Sequence, residues 1–90
     1  MNFEWDQRKR LSNIRKHGID FIVARHVFDG RPRYDMASAR HGESRILSIG
    51  ELGGTIVAVI WTPREVDTIR IISVRRARFE EEEKYREVFG

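Results

Sequence analysis

The apolar positions of this 90-residue chain follow three different patterns in turn. Between Trp5 and Gly18 they are sparse. At ~100° per residue, Leu11 and Ile14 fall on one side of a helix, and Lys9, Asn13 and Lys16 fall together on the opposite, outer side. Asp6 is placed to cap that helix, which the pattern carries to about His17, and Gly18 stands where a helix stops. Over residues 21–28, Phe21, Ala24, Val27 and Phe28 recur at helical spacing behind a second cap, Asp20. From residue 45 onward the pattern is that of strands: residues 45–51, 55–62 and 68–75. A Gly53-Gly54 turn joins the first two, and a turn over residues 63–67 joins the last two. The middle strand, TIVAVIWT, is apolar almost throughout and so belongs at the centre of the sheet. In the third, simple alternation groups Arg70 with Ile72 and Val74, and Ile71 with Ser73 and Arg75. Residues 76–88 return to helix, with Glu80 and Glu82 each four positions before a cation, Lys84 and Arg86.

Residues 29–42 are polar and contain glycine and proline, which predicts a loop with a short strand at about 33–35. The expected fold class is therefore α+β. Two N-terminal helices precede an antiparallel meander of three to four strands and a C-terminal helix, in one domain over residues 1–90.

Composition adds a partner class. Formal net charge is +3, but five of the acids lie in the last helix. Residues 1–79 hold 15 Lys and Arg against 9 Asp and Glu, a net of +6. Fourteen of the 17 cations are arginine, whose planar fork pairs bidentately with phosphate and stacks on bases. A basic, arginine-rich body points to nucleic acid or to an acidic protein partner. There is no cysteine, which excludes disulfides, a thiol nucleophile and cysteine-ligated zinc. The longest apolar run, residues 56–61, is far too short to span a membrane, and no apolar leader follows Met1; a cytoplasmic protein is expected.

Chemistry narrows by elimination. His17, His26 and His41 show no ligand spacing, so no metal and no cofactor are expected. No phosphate-binding glycine loop, serine elbow or carboxylate pair stands out. What remains suits cleavage of RNA without a metal. The 2′-hydroxyl attacks the neighbouring phosphorus, a base and an acid move protons, and cations hold the extra charge. Arg75 and Arg76, at the junction of strand and helix, are candidate phosphate ligands. Arg64 lies in a turn at a sheet end. Arg70 is either a phosphate contact or a structural partner of an acid such as Asp67 or Glu43. His17, at a helix C-terminus, and Tyr85 are the candidates for proton transfer. Lys9 and Lys16 read as solvated cations or as RNA contacts. The same charge also suits a non-catalytic nucleic-acid or partner-binding module.

The opening Phe3-x-Trp5-Asp6, with Lys9 and then Asn13-x-x-Lys16-His17-Gly18-Ile19, resembles that of the BrnT family of toxins. Glu43-x-Arg45, Gly50, Thr62-x-Arg64, the stretch RIISVRRA over residues 70–77, and the spacing from Ala77 through Glu81 to Tyr85 are similar as well. The resemblance implies a RelE-like fold and a ribonuclease toxin of a type II toxin–antitoxin system that inhibits translation and growth. It implies neutralisation by a BrnA-type ribbon-helix-helix antitoxin, through which alone the pair binds operator DNA. It also implies RNA as substrate, including ribosome-associated mRNA. Lys9, Lys16, His17, Arg64, Arg75, Arg76 and Tyr85 are the site candidates it carries over. Residues 29–42, with Arg31, Arg33 and Arg40, are the part on which it is silent.

Overall fold

The chain runs β1 (Asn2–Glu4), α1 (Gln7–His17), α2 (Phe21–Ala24, continued as a 3₁₀ turn over Arg25–Phe28), β2 (Arg33–Arg40), β3 (Glu43–Leu52), β4 (Thr55–Pro63), β5 (Thr68–Arg76) and α3 (Phe79–Phe89). The structure is a computed structural model that describes residues 1–40 and 43–90. His41, considered above as a metal ligand, and Gly42, the end of the predicted loop, lie outside the described residues. The strands form one sheet in the order β1-β5-β4-β3-β2. β2 to β5 are an antiparallel meander, and β1 pairs with β5 in parallel.

The fold class is α+β as expected, but the sheet has five strands and is mixed, not three or four and antiparallel. β1 escaped detection because three residues are too few to show a period; only the free edge of β5 makes them a strand. The predicted loop is the second difference. Arg33 to Arg40 pair residue for residue with Gly50 back to Glu43. β2 is an edge strand, where polar side chains are tolerated because much of the strand faces water. Its apolar residues Tyr34 and Met36 pack with the Leu47–Ile49 cluster.

Both sheet faces are covered. On one, Phe21, Ala24, Val27 and Phe28 pack on Val57, Val59, Trp61, Ile69, Ile71 and Val74. α2 lies close enough that a Cβ on Gly50 would sit 3.1 Å from Val27 Cγ1, so a side chain there would push the buried Val27 back by a few tenths of an ångström. The Trp61 indole donates to Ser48 Oγ at 2.7 Å, and Ser48 donates in turn to Asp35 Oδ1 at 2.6 Å, so neither buried polar group is orphaned. On the other face Leu47, Ile49, Ile56 and Ala58 form a smaller core with Tyr85 of α3 and Ala77. The apolar middle strand, β4, thus contributes to both cores, as its sequence requires.

α1 is capped as predicted. Asp6 accepts from the amides of Arg8 and Lys9, and Gly18 adopts φ +70° while its amide bonds Ile14 O. Its orientation is the reverse of the prediction. The buried residue is Asn13, at 5% exposure, whereas Leu11 and Ile14 are 44% and 36% exposed. The cause lies in the sheet edge. β1 pairs only with Thr68 to Arg70, so the next stretch of β5 has no strand beside it. α1 takes that place: Asn13 Oδ1 accepts from Val74 N at 3.0 Å and from Ser73 Oγ at 3.3 Å, while Nδ2 donates to Ile19 O at 2.9 Å. A buried edge amide needs an acceptor, and Leu11 or Ile14 has none to offer.

A bulge sets the faces of β5. Ile60 pairs with Ser73 but Trp61 pairs with Ile71, leaving Ile72 as the extra residue. Ile71 and Val74 therefore share the α2 core. This breaks the simple alternation predicted above, which placed Val74 with Arg70 and Ile71 with Arg75. Arg70, Ser73 and Arg75 instead fall on the α3 face.

Two stability tests follow from these contacts. Asn13→Ala leaves the Val74 amide without a partner and is expected to cost about 2 kcal/mol, a fall of roughly 8–16 °C in Tm for a domain of this size. Thermal unfolding with a change under about 2 °C would show that the edge contact contributes nothing. The second test concerns Asp20, which accepts bidentately from Arg10 at 2.8 and 2.9 Å and caps α2 through the Ile22 amide. Arg10, and then the Ile22 amide, lower its pKa from 3.8 to about 2. A depressed carboxylate stabilises above its unfolded value, and the contribution disappears as pH falls through its folded value. Asp20→Asn keeps a capping oxygen and loses the ion pair. Its stability deficit should be constant above pH 4 and vanish between pH 4 and about 2 in acid titrations followed by circular dichroism. A deficit unchanged at pH 2 would refute the ion pair as its source.

Candidate functional site

The α3 face of β5 and the inward side of α1 meet at the bulge. Arg75 lines a cavity of about 300 Å³ together with Arg45, Arg78, Glu81, Ser38 and Ser73. Lys9, Lys16, His17 and Ser12 line a second, of about 170 Å³, against the same Ile72 and Ser73. Ile72 and Ser73 border both, so the two cavities adjoin along β5, and a strand laid over these two residues would follow a path from one to the other. Lys9 and Lys16 are exposed, but on the side of α1 that borders β5 and not on an outer helix face. They stand over β5 because Asn13, on the same side of α1, is bonded to it.

Arg75 is held rigidly. Its Nη1 and Nη2 donate to Glu81 Oε1 and Oε2 at 2.8 and 2.9 Å, and Glu81 Oε1 also accepts from the Arg78 amide at 2.7 Å. Glu81 is 8% exposed. The bond from Arg75 is the first cause that holds its carboxyl below the ordinary range, and it raises Arg75 in return. Glu81 therefore stays ionised, fixes the guanidinium and caps α3 at once. The helix starts three residues later than its pattern suggested because Arg76 still pairs within β5 and the Ala77 amide bonds Ile56 O.

The predicted residues do not converge on one point. Arg75, Lys9, Lys16 and His17 share the path. Arg76, the neighbour of Arg75 on a strand, projects to the opposite sheet face. There it lines a larger cavity, about 570 Å³, with His17, His26 and Arg31. Strand geometry thus directs Arg75 and Arg76 to opposite faces and does not bring them together at one site. Arg70 does form a salt bridge, but to Glu4 of β1 at 2.7 Å, and Asp67 is occupied by the N-terminal amine at 2.8 Å. Arg64 reaches the same Glu4 at 3.6 Å. Both flank the far end of the sheet and line none of these cavities. Tyr85 packs beneath α3 with the Leu47–Ile49 core, its ring 5.1 Å from that of Phe89.

Among the described residues, Lys9, Lys16, His17 and Arg76 have no side-chain hydrogen bond or ion pair. The charge of Lys9, Lys16 and Arg76 is available to an outside anion. Sequence reasoning passed over Arg45, Arg78 and Glu81 as site residues. Glu81 carried a signal, since it stands three residues after the helix boundary where a capping carboxylate belongs. Arg45 stood in the Glu43-x-Arg45 motif without a role attached, and Arg78 carried no signal beyond charge; the place of each depends on the hairpin register and on the start of α3. Among the described residues, no three His, Asp or Glu are grouped to hold a metal ion.

Comparison with known proteins gives a consistent result. The profile of a family described as ribonuclease toxin, BrnT, of type II toxin–antitoxin system matches residues 5–81. Among solved structures, the Brucella abortus ribonuclease toxin BrnT is similar at 34% identity with a TM-score of 0.66, covering 87% of this chain and 97% of that one. Comparison with curated proteins finds no match. With a profile match spanning α1 to the first turn of α3, and so every element that borders the cationic path, the chain belongs to the BrnT family of ribonuclease toxins of type II toxin–antitoxin systems.

Proposed function

We propose that this protein is a metal-independent endoribonuclease whose RNA strand lies in the path between α1 and β5. The proposal includes a RelE-like mode of action on mRNA in the cytoplasm, ribosome-bound mRNA included. It also includes neutralisation by a BrnA-type ribbon-helix-helix antitoxin that carries the pair to operator DNA. Cleavage of the toxin's RNA substrate arrests translation and growth. No helix among the described residues is long and apolar enough to cross a membrane.

The observation that carries the reading is that the two cavities adjoin at Ile72 and Ser73, which line both. Unpaired cations stand at one end and a guanidinium clamped by Glu81 at the other. The 2′-oxygen forms a bond to phosphorus while the bond to the 5′-oxygen breaks. The phosphorane between them carries extra negative charge, which preorganised guanidiniums stabilise best because they need not reorient. Arg75, fixed by Glu81, faces that phosphate together with Arg78 and Arg45. Lys9 and Lys16 contact the flanking backbone. His17, the titratable imidazole that borders the path, moves the proton between the 2′-hydroxyl and the leaving 5′-oxygen. Arg70 and Arg64, at the sheet end, meet the strand farther along. Tyr85 supports α3 from below, and Arg76 faces elsewhere.

Cleavage of a single-stranded RNA in excess chelator should leave 2′,3′-cyclic phosphate and 5′-hydroxyl ends. Arg75→Gln with Glu81→Gln keeps the two side chains hydrogen bonded but removes the cation, and should lower kcat by about 10²-fold or more. His17→Gln should lower kcat by roughly 10²–10⁴-fold. Lys9→Ala should chiefly raise KM and reduce the slope of log binding against log salt by about 0.7 for the one phosphate lost. RNA that is bound but left intact by the unaltered protein would overturn the catalytic reading in favour of a binding module.

A further inference from the structure

The larger cavity that Arg76 lines stands apart from the Arg75 site. At about 570 Å³ it lies on the α2 face of the sheet, away from Arg75. Its apolar lining comes from Ile19, Val23, Leu52 and Val57, and its cations from Arg31 and Arg76. The Arg76 guanidinium has no carboxylate partner among the described residues, while Asp20, the carboxylate in the lining, is committed to Arg10. Arg31 is braced from outside by Asp29 at 2.8 Å and donates to Glu51 O at 2.9 Å, which holds it in place. Val23 is 49% exposed, and its neighbour Ile22 is 40% exposed.

We infer that this cavity anchors a segment of the antitoxin that carries apolar side chains beside an acidic one. An apolar floor has no use for a phosphate chain, so a peptide fits better than RNA. The unpaired Arg76 and the braced Arg31 select an acidic one by charge complementarity. Position explains how such an anchor neutralises. His17 borders both this cavity and the Lys9–Lys16 end of the RNA path. A chain seated on the α2 face therefore passes the C-terminus of α1 and continues onto the path, excluding RNA without filling the Arg75 cavity first. The inference rests on the toxin–antitoxin reading.

The test uses Val23→Glu and Arg31→Ala, neither of which touches the RNA path, with the full-length antitoxin protein encoded beside the toxin gene. RNA cleavage is measured with each toxin alone and against increasing antitoxin, and melting curves confirm the fold. Val23→Glu should cleave as the unaltered protein does but need about 30-fold or more antitoxin for half inhibition, the effect of losing one anchor residue. Arg31→Ala should shift the same curve in the same direction. Inhibition of both variants equal to that of the unaltered protein overturns the anchor site while leaving the toxin–antitoxin reading intact. Loss of cleavage by well-folded variants without antitoxin also overturns it, because the cavity then belongs to the RNA path. Failure of the antitoxin to inhibit the unaltered protein overturns the toxin–antitoxin reading itself.

Discussion

The carboxamide of Asn13 is the contact on which the arrangement of this protein depends. It satisfies the Val74 amide at the edge of β5, meets Ser73 Oγ, and ties back to Ile19 O at the start of the next segment. Three parts of the chain, separated by up to 61 residues, are joined at one buried side chain. Because it accepts from a strand edge, α1 lies beside the sheet as a substitute for a sixth strand. That placement turns Lys9 and Lys16 toward β5 and leaves Leu11 and Ile14 facing water. An amphipathic helix laid on a sheet face would have reversed both.

The bulge at Ile72 is the second constraint. It puts Ile71 and Val74 in the same core and thereby assigns Ser73 and Arg75 to the α3 face. Arg76, one residue on, belongs to the other face. Two adjacent arginines are thus committed to two sites of different character. On the α3 face a guanidinium is locked by a buried carboxylate, in a setting that is mainly polar and cationic. On the α2 face an unpaired guanidinium stands beside aliphatic side chains. The first suits charge that develops on a phosphate; the second suits a peptide that brings both a carboxylate and apolar atoms. His17 borders both surfaces.

Glu81 starts a helix and fixes a guanidinium with one carboxylate. Its two oxygens accept three hydrogen bonds, which end the strand-to-helix junction, start α3 and orient Arg75. Burial would disfavour its charge, and the bond from Arg75 outweighs that cost, so the pair is preorganised before any substrate arrives. The price is that part of the charge of Arg75 is already neutralised, which leaves Arg78 and the lysines of α1 to supply the attraction at longer range.

The sequence by itself determined the elements whose signals are local. Asp6 and Gly18 bound α1, Asp20 caps α2, the Gly53-Gly54 turn joins β3 to β4, and the apolar run of β4 places it between two cores. It also determined the basic character of the chain, and the spacing of its motifs carried the family. Tertiary structure decided everything that depended on what lies across a strand. β1 is a strand only because β5 has an open edge, and β2 is one because β3 offers eight consecutive partners. The inward face of α1 was decided by an unpaired amide, a need that no hydrophobic pattern records. The separation of Arg75 from Arg76, and of Arg64 and Arg70 from both, was decided by strand faces, a bulge and a salt bridge to Glu4. Spacing along a chain encodes periodicity, whereas convergence of side chains depends on register and on buried polar groups finding partners, and those partners are remote in sequence.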